Sequence, residues 1–321
     1  MTGRLVARWR YGALLLAIGM LAAACGGGNN DGGSADGGSQ LSGTINIDGS
    51  STVAPLSEAA AELFQEQNSG VRVTVGTSGT GGGFEKFCAG QTDISDASRP
   101  IEQEEIDACK KEGIDYTELQ VATDALTVVV HPDLAVDCLT TDQLVKLWEP
   151  GSKVTNWNQL DPSFPDEEIS LFGPGSDSGT YDYMAADVIG DESETTRSDY
   201  EASEDDNVLV QGVAGTEGAT GYFGYTYYEE NTDSLKALSI DDGNGCVAPS
   251  ADTAQAGEYT PLSRPLFIYV KNSAYNDNAA VKEYVDFYVE NLSDIAEVGK
   301  FIPLSDDLYS KTESALEGMP T

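Results

Sequence analysis

The sequence is poor in the side chains that bind metals and nucleic acids. Its 321 residues include one histidine and 17 lysines and arginines against 54 aspartates and glutamates, so the formal net charge is −37. With one histidine and no Cys-x-x-Cys pair, a zinc site and a metal-dependent phosphatase are both disfavoured. A nucleic acid partner is excluded, because phosphate backbones bind basic surfaces. The acidic residues are scattered along the chain, which is typical of solvated surfaces.

Motifs of hydrolases and of nucleotide-binding proteins are also missing. No Gly-x-Ser-x-Gly is present, and the Ser-Asp-Ser-Gly run at 176–179 only superficially resembles a serine hydrolase nucleophile. The lone His131 ends a predicted strand, where we expect a structural role rather than a catalytic base. The glycine-rich run at 76–83 lacks the Gly-Lys-Ser/Thr ending of a nucleotide P-loop. A phosphatase or serine hydrolase is therefore the less favoured alternative.

The beginning of the chain has the pattern of an export signal. Three arginines precede an apolar run at 11–24, which is too short to favour a membrane-spanning helix. The run leads to Cys25 and is similar to a bacterial lipoprotein signal, although Ala22 stands where leucine is usual and Leu21 comes one place earlier. We expect residues 1–24 to be a signal peptide, Cys25 to be lipidated and residues 25–41 to be a flexible tether. The alternative is cleavage elsewhere, with Cys25 incidental.

About 280 residues follow the tether, which is enough for two lobes of ordinary domain size. Four cysteines remain in this part of the chain, namely Cys88, Cys109, Cys138 and Cys246. An even number of cysteines in an exported chain favours disulfides, and three pairings are possible.

A strand, a loop rich in Gly, Ser and Thr, and a helix follow one another three times, at 44–66, 71–90 and 168–188. In the third unit the loop places Ser178, Gly179 and Thr180 at a helix start, where unpaired N–H groups and the helix dipole suit a small tetrahedral oxyanion. A single motif of this kind is usually only a helix cap, but its repetition favours a ligand site. Alternating strands and helices predict a parallel sheet with the ligand at the carboxyl ends of its strands.

Two other features bear on the fold. The glycine-rich loop at 76–83 is expected to lead into a helix at 84–89. Separate strands are expected at 119–122 and at 126–130, and the second of these is apolar enough to begin a second core.

The ordered motifs resemble the phosphate-binding proteins of ABC-type phosphate importers, and the resemblance covers residues 42–317. The motifs are Asp48–Pro55, Gly79–Phe84, Asp93–Ile101, Gly173–Tyr181 and Gly218–Tyr225. The resemblance implies an α/β, two-lobed type II periplasmic-binding-protein fold. In this fold each lobe is a mostly parallel sheet flanked by helices, and two crossing hinge segments join the lobes.

The resemblance also implies the division of the chain into lobes. Lobe I would comprise 42–123 with 263–321, and lobe II would comprise 124–262, with crossings near 122–125 and 261–264. Because each disulfide should then lie within one lobe, we expect the pairs Cys88–Cys109 and Cys138–Cys246.

The resemblance further implies a phosphate site made of hydroxyls and backbone amides from both lobes. The matching residues are Ser51, Thr52, Val53 (through its amide), Ser78, Thr80, Gly81, Ser98, Arg99, Ser178, Gly179 and Thr180. The family often has an arginine where this chain has Pro174, and a proton-accepting aspartate where it has Ser98. We expect Arg99 to supply the positive charge, the alternative being a surface ion pair. Asp96, Asp124 and Asp177 are candidates for the missing acceptor, and Arg264 is expected to form a structural salt bridge.

The implied function is the capture of inorganic phosphate for the membrane permease of an ABC importer, without catalysis or a cofactor. We expect an extracytoplasmic monomer, held at the outer face of the cell membrane by the lipid on Cys25. The alternative on the same fold is a binder of sulfate, molybdate or tungstate, because hydroxyl-bearing loops alone do not distinguish tetrahedral anions.

Overall fold

The computed structural model describes residues 41–190 and 195–320. The strands in these ranges are β1 (Gly43–Gly49), β2 (Val71–Gly76), β3 (Ile94–Ala97), β4 (Tyr116–Val130), β5 (Cys138–Thr140), β6 (Ser170–Gly173), β7 (Glu201–Ala202), β8 (Ala219–Gly224), β9 (Lys236–Ala237), β10 (Ser239–Asp241), β11 (Cys246–Val247) and β12 (Ser263–Lys271). The predicted signal peptide, Cys25 and all of the tether but its last residue lie outside the described residues.

The helices in the same ranges are α1 (Ala54–Gln67), α2 (Gly79–Cys88), α3 (Gln103–Glu112), α4 (Thr141–Trp148), α5 (Gly179–Tyr183), α6 (Asp206–Gly215), α7 (Tyr225–Glu229), α8 (Ala251–Gln255), α9 (Asn272–Asp277), α10 (Ala279–Glu290), α11 (Leu292–Val298) and α12 (Asp306–Glu317). A 3-10 turn spans Trp157–Gln159, and a π-helical segment, Met184–Ile189, continues α5. Across the described residues, every helix is too short or too polar to cross a membrane.

A mixed sheet runs through both halves of the described chain in the order β2-β1-β3-β12-β4-β8-β6-β7, with β9 also paired to β4. Strands β1, β2 and β3 are parallel, and so are β6, β7 and β8. Strand β12 is antiparallel to both of its neighbours. The first part of β4 pairs with β12 and the last part with β8, so this strand is shared by the two halves.

The two strands expected at 119–122 and 126–130 are one continuous strand, β4, so the predicted break is wrong. Thr123 and Asp124 are polar and interrupt the apolar pattern between the two predicted strands. Both side chains are buried, and Asp124 lies opposite Arg264 in the register of β12 and accepts a hydrogen bond from it. A buried ion pair between neighbouring strands thus takes the place of the apolar contact that the pattern requires.

The hydrophobic clusters divide the described chain into two α/β halves. One large cluster draws its buried residues from 45–122 and 266–319, and another draws them from 125–262 with the addition of Ile302. A smaller cluster lies on the other face of each half, because Val128 and Val129 of β4, and Ile268 and Phe267 of β12, belong to different clusters. Each half therefore has side chains packed on both faces of its sheet.

The predicted disulfides, Cys88–Cys109 and Cys138–Cys246, are both confirmed, with Cα–Cα distances of 4.3 Å and 6.2 Å. The first joins the end of α2 to α3. The second joins β5 to β11 in the small three-stranded sheet β11-β10-β5.

Helix α2 begins at Gly79, five residues earlier than the sequence indicated. Glycine disfavours helices, which made the run at 76–83 look like a loop. The helix packs so closely on β1 that a Cβ at Gly83 would lie 2.5 Å from the Cα of Gly49 and 2.9 Å from Oγ of Ser95. Glycine at position 83 is therefore needed for the close approach of the helix to the sheet, and this contact outweighs the low helix propensity of glycine.

Candidate functional site

A cavity of about 440 Å³ lies at the carboxyl ends of β1, β2 and β3, facing the helix that follows β6. We call it the main cavity. Its lining is rich in hydroxyls and charged groups and comprises Ser50, Ser51, Thr52, Gly79, Thr80, Gly81, Ser98, Arg99, Asp182, Tyr183, Ala186, Asp187 and Arg264. This is where an open α/β sheet is expected to hold its ligand. Six of the predicted site residues line it, namely Ser51, Thr52, Thr80, Gly81, Ser98 and Arg99.

The turn between β1 and α1 brings Ser51 and Thr52 to the main cavity. The Ser50 amide donates to the backbone oxygen of Asp96 at 2.9 Å, and the Ser50 hydroxyl accepts from the Thr52 amide at 3.2 Å. The Val53 amide donates to the backbone oxygen of Ser50 at 3.2 Å, while its side chain is fully buried in the core. The structure therefore places Val53 behind the cavity wall rather than on it.

The loop between β2 and α2 directs the hydroxyls of Ser78 and Thr80 to different places. The sequence alone did not show which of the two faces the ligand. Asp48 accepts hydrogen bonds from the Ser78 amide, at 3.1 Å, and from the Ser78 hydroxyl, and it pairs with Lys86 at 2.6 Å. Burial raises the pKa of Asp48, but the hydrogen bonds from Lys86 and Ser78 outweigh burial and hold this pKa below its usual value. Ser78 is thus turned toward Asp48, and it is Thr80 that lines the main cavity.

Thr80 and Ser98 form a pair across the main cavity wall. The Thr80 hydroxyl oxygen accepts from the Ser98 amide at 3.2 Å and lies 3.1 Å from the Ser98 hydroxyl oxygen. Because each hydroxyl has one hydrogen and two lone pairs, one of the two can still donate to a ligand while the pair is kept.

Arg99 lines the main cavity with its guanidinium held by acidic side chains of α3 and its N-cap. Nη1 and Nη2 donate to the two carboxylate oxygens of Glu105 at 2.9 Å and 2.7 Å, Nε faces Glu102 at 3.3 Å, and Nη1 also donates to the Pro100 oxygen. The hydrogen bond that Arg99 donates to Glu105 is the main cause that raises the pKa of Arg99. Of five N–H groups, one on Nη2 remains, and this atom is the nearest neighbour of a Cβ built on Gly81.

The loop Ser178–Thr180 lies beside the main cavity rather than on its wall. It lines a smaller neighbouring cavity, which we call the side cavity and which shares Ser51 and Thr52 with the main cavity. A Cβ on Gly179 would lie 2.7 Å from Oγ1 of Thr52, so glycine is required for this approach. The Ser178 hydroxyl accepts from the Thr180 amide at 3.2 Å and caps α5.

Three charged residues of the main cavity wall were not predicted as ligand contacts. The Ser51 hydroxyl donates to Asp182 at 3.1 Å, and Asp187 pairs with Arg264 at 3.1 Å. The expected salt bridge of Arg264 is confirmed, since it also pairs with Asp124 at 3.2 Å, but the same guanidinium reaches the main cavity. Asp182 and Asp187 are five residues apart. Asp182 lies in α5 and Asp187 in the π-helical segment that continues it. Residues five apart share a face under i→i+5 winding but not under α winding, so an α-helical pattern does not predict that the two side chains line one cavity.

The side chains considered as proton acceptors or bases lie elsewhere. Asp96 is fully buried, accepts from the Ser57 hydroxyl at 2.8 Å and has a pKa raised to about 8 by burial. Asp124 is the buried partner of Arg264, and Asp177 lines the side cavity. His131 accepts the Asp133 amide at 3.3 Å, as expected of a structural strand-end residue. Within 41–190 and 195–320, no three Asp, Glu, His or Cys side chains group together as metal ligands.

This architecture is shared with proteins of known family and structure. The sequence model of the PBP superfamily domain matches residues 34–291. The crystal structure of a possible phosphate binding protein from Planctomyces limnophilus superposes with a TM-score of 0.83 at 45% identity, covering 88% of this chain and 100% of that one. The predicted two-lobed fold class is thereby confirmed.

Relatives of known name are similar over most of their length. Protein SphX of Synechococcus elongatus is 48% identical over 269 residues, which is 83% of this chain and 79% of that protein. The phosphate-binding protein PstS of Staphylococcus saprophyticus is 39% identical over 315 residues, which is 97% of this chain and 94% of that protein. The chain therefore belongs to the PBP superfamily and, within it, to the family of PstS phosphate-binding proteins of ABC-type importers.

Proposed function

We propose that this chain captures inorganic phosphate in the main cavity and delivers it to the membrane permease of an ABC-type importer. The observation that carries the proposal is the lining of the main cavity, where hydroxyls from three loops meet two guanidinium groups. Such local donors can bind a tetrahedral oxyanion on a protein with an acidic surface. The names of the PstS relative and of the Planctomyces limnophilus structure support phosphate as the anion.

We propose that Thr52, Thr80, Gly81, Ser98 and Arg99 contact the anion from the first half of the chain. All five line the main cavity, and Arg99 has one N–H outside its pairs with acidic side chains and the Pro100 oxygen. A charge-assisted hydrogen bond from this N–H would contribute roughly 1.5–3 kcal/mol.

The other predicted contacts are proposed with a condition. Ser178, Gly179 and Thr180 adjoin Thr52 and would complete the site from the second half. Ser51, Val53 and Ser78 would each have to exchange a present partner for the anion. These partners are the Asp182 carboxylate, the Ser50 backbone oxygen and the Asp48 carboxylate.

We propose Asp182 as the residue that favours phosphate over sulfate. Its side chain lines the main cavity and, in the described part of the chain, is bonded only to the Ser51 hydroxyl, whereas Asp187 is paired with Arg264. An unpaired carboxylate repels a neighbouring anion unless it accepts a proton from that anion. Hydrogen phosphate carries such a proton and sulfate does not, so this carboxylate would penalise sulfate.

The lobes and their hinge belong to the same proposal. Residues 42–123 with 263–321, and residues 124–262, would move as lobes I and II about crossings near 122–125 and 261–264. In support, Ala122 and Leu266 belong to one large hydrophobic cluster, whereas Ala125 and Leu262 belong to the other. The chain therefore passes from one cluster to the other near both crossings. Closure of the lobes would surround the anion with preorganised donors.

The cellular setting is likewise proposed. The chain would be an extracytoplasmic monomer tethered by a lipid on Cys25, and it would bind its ligand without catalysing a reaction. The pattern at 1–25 and the transport setting of the PstS family support this view.

The test is a calorimetric titration of the purified protein with phosphate, followed by the same titration in the presence of sulfate. We expect one phosphate per chain and little displacement by sulfate. A parallel assay with a chromogenic phosphate ester should show no hydrolysis. Tight binding of sulfate with no response to phosphate would reject phosphate as the ligand, and ester turnover would reject a pure binding role.

A further inference from the structure

Four neighbouring residues hold the side chain of Arg264 in the main cavity wall. Nε donates to Asp124 on the neighbouring strand, Nη1 to Asp187 of the π-helical segment, and Nη2 to the Thr52 hydroxyl oxygen, at 3.2, 3.1 and 2.9 Å. The centre of the guanidinium lies 3.7 Å from the centre of the Tyr183 ring. With 11% of the side chain exposed, the guanidinium is fixed from both sides of the cavity.

The direction of the bond between Arg264 and Thr52 follows from its chemistry. A guanidinium has donors only, so the Thr52 oxygen must accept, and the hydroxyl hydrogen of Thr52 is then available for another acceptor. The neighbouring Ser51 is in the opposite situation, because its hydroxyl donates to Asp182. On this turn the Ser51 hydroxyl donates its hydrogen to a carboxylate, whereas the Thr52 hydroxyl has its hydrogen available for another acceptor.

We propose that Arg264 is a positioning residue that keeps the Thr52 hydroxyl as a hydrogen-bond donor to the bound anion. The inference rests on the proposed function of the main cavity. The carboxylate of Asp182 lines the same cavity and already accepts a hydrogen bond from the hydroxyl of the adjacent Ser51. Without Arg264, Thr52 would turn its hydrogen toward a carboxylate and present lone pairs to the anion, which is repulsive.

A double-mutant cycle separates this effect from the charge of Arg264. The phosphate dissociation constant is measured by calorimetry for the wild type, Thr52→Val, Arg264→Gln and the double variant. The charge effect of Arg264→Gln is present in both backgrounds, whereas the effect through the hydroxyl requires Thr52. We expect Arg264→Gln to weaken binding by a factor at least about fivefold larger in the Thr52 background than in the Thr52→Val background. A smaller ratio overturns the inference.

Asp187→Asn is the matched control. It removes one ion-pair partner of Arg264 and leaves its contact with Thr52, so its effect should be the same in both backgrounds. Melting temperatures without ligand establish that each variant is folded. Should Arg264→Gln fail to fold, Arg264→Lys and Arg264→Met are compared instead. Because Lys keeps both the charge and a donor, the two variants are measured in the Thr52 and Thr52→Val backgrounds. The extra loss of affinity in Met over Lys should be larger in the Thr52 background, and equal extra losses in the two backgrounds overturn the inference.

The outcomes distinguish this inference from the proposed function. If phosphate binds and the losses simply add, the role of Arg264 is wrong while phosphate capture stands. If the wild type binds sulfate instead of phosphate, phosphate capture is wrong and the same cycle with sulfate decides the role of Arg264. Failure of the wild type to bind either anion overturns both.

Discussion

Arg99 and Arg264 bring positive charge to the main cavity, and acidic side chains already hold both of them. Arg99 is paired with Glu102 and Glu105, and Arg264 with Asp124 and Asp187. These pairs fix the geometry of each guanidinium and leave at least one N–H group of each outside them. An anion would therefore meet oriented donors rather than excess positive charge, which costs little reorganisation on binding.

Replacing Arg99 with alanine should weaken phosphate binding at least about tenfold, because it removes a charge-assisted donor. Isothermal titration calorimetry measures the change. Arg72→Ala, on the exposed edge of β2, is the matched control and should leave the affinity unaltered. Equal affinities for Arg99→Ala and the wild type would show that Arg99 is only a partner of Glu105.

Replacing Asp182 with asparagine should reduce the discrimination between phosphate and unprotonated tetrahedral dianions. The amide no longer repels them and can donate a hydrogen bond. Sulfate and monofluorophosphate are suitable probes, and we expect their affinities relative to phosphate to rise at least about tenfold. Competition calorimetry gives the ratios, with Asp177→Asn of the side cavity as control. If the ratios do not change in Asp182→Asn, selectivity is set elsewhere.

At the level of elements, the contact of α2 with β1 determines where the glycine-rich loop ends and the helix begins. Gly83→Ala should destabilise the protein by about 1–3 kcal/mol, because the new methyl group would meet the Gly49 backbone. Gly215→Ala in α6 is the control, since a Cβ there meets nothing within 4 Å. The Gly215→Ala substitution should leave the free energy of unfolding unchanged or increase it by up to about 1 kcal/mol. Denaturant unfolding compares the two, and equal stabilities would refute the close packing.

The contact between β3 and α1 should make stability depend on pH. Burial, and then the neighbouring charges of Asp48 and Glu58, raise the pKa of Asp96 to about 8, although the Ser57 hydroxyl opposes them. Since this value lies above the unfolded value of about 3.9, the folded state favours the protonated acid. Its contribution to stability is complete below about pH 4 and is lost as the pH rises to about 8.

Asp96→Asn should therefore gain stability relative to the wild type as the pH is raised from about 5 to about 8. The gain is at most about 1.4 kcal/mol for each pH unit. Urea unfolding of both proteins at the two pH values measures it, and the other acidic groups cancel in the comparison. A constant difference between the two proteins would mean that Asp96 does not titrate in this range.

At the level of the whole molecule, the formal charge of −37 repels anions at long range. Salt screens exposed charges beyond a Debye length of about 8 Å at physiological ionic strength, so the distant acidic residues contribute little repulsion. The groups that decide binding are those of the main cavity. Its four charged residues are two arginines and two aspartates, which balance within the lining.

Much of the fold was predictable because its signals are local. The three strand–loop–helix units are present, and the pairing of all four cysteines beyond Cys25 follows the implied lobes. The start of α2 and the continuity of β4 were not predictable. The first depends on how closely Gly83 approaches β1, and the second on a partner for Asp124 that lies 140 residues away.

The part of the candidate site that lies on loops directly after strands was predictable from the sequence. Thr52, Thr80 and Arg99 lie where the ends of β1, β2 and β3 place them. The choice of Thr80 over Ser78 required knowledge of Asp48, which engages the Ser78 hydroxyl. Asp182 was missed because an acidic residue in the first turn of a helix is common and stabilises it without any ligand.

The most direct measurement is a crystal structure of the protein grown with millimolar phosphate. We predict one tetrahedral ion bonded to Thr52, Thr80 or Ser98, and Arg99, with the Ser178–Thr180 loop closing on it and Asp182 within hydrogen-bonding distance of one of its oxygens. Density for the ion outside the main cavity, or a main cavity filled only by water at that concentration, would contradict phosphate capture at this site.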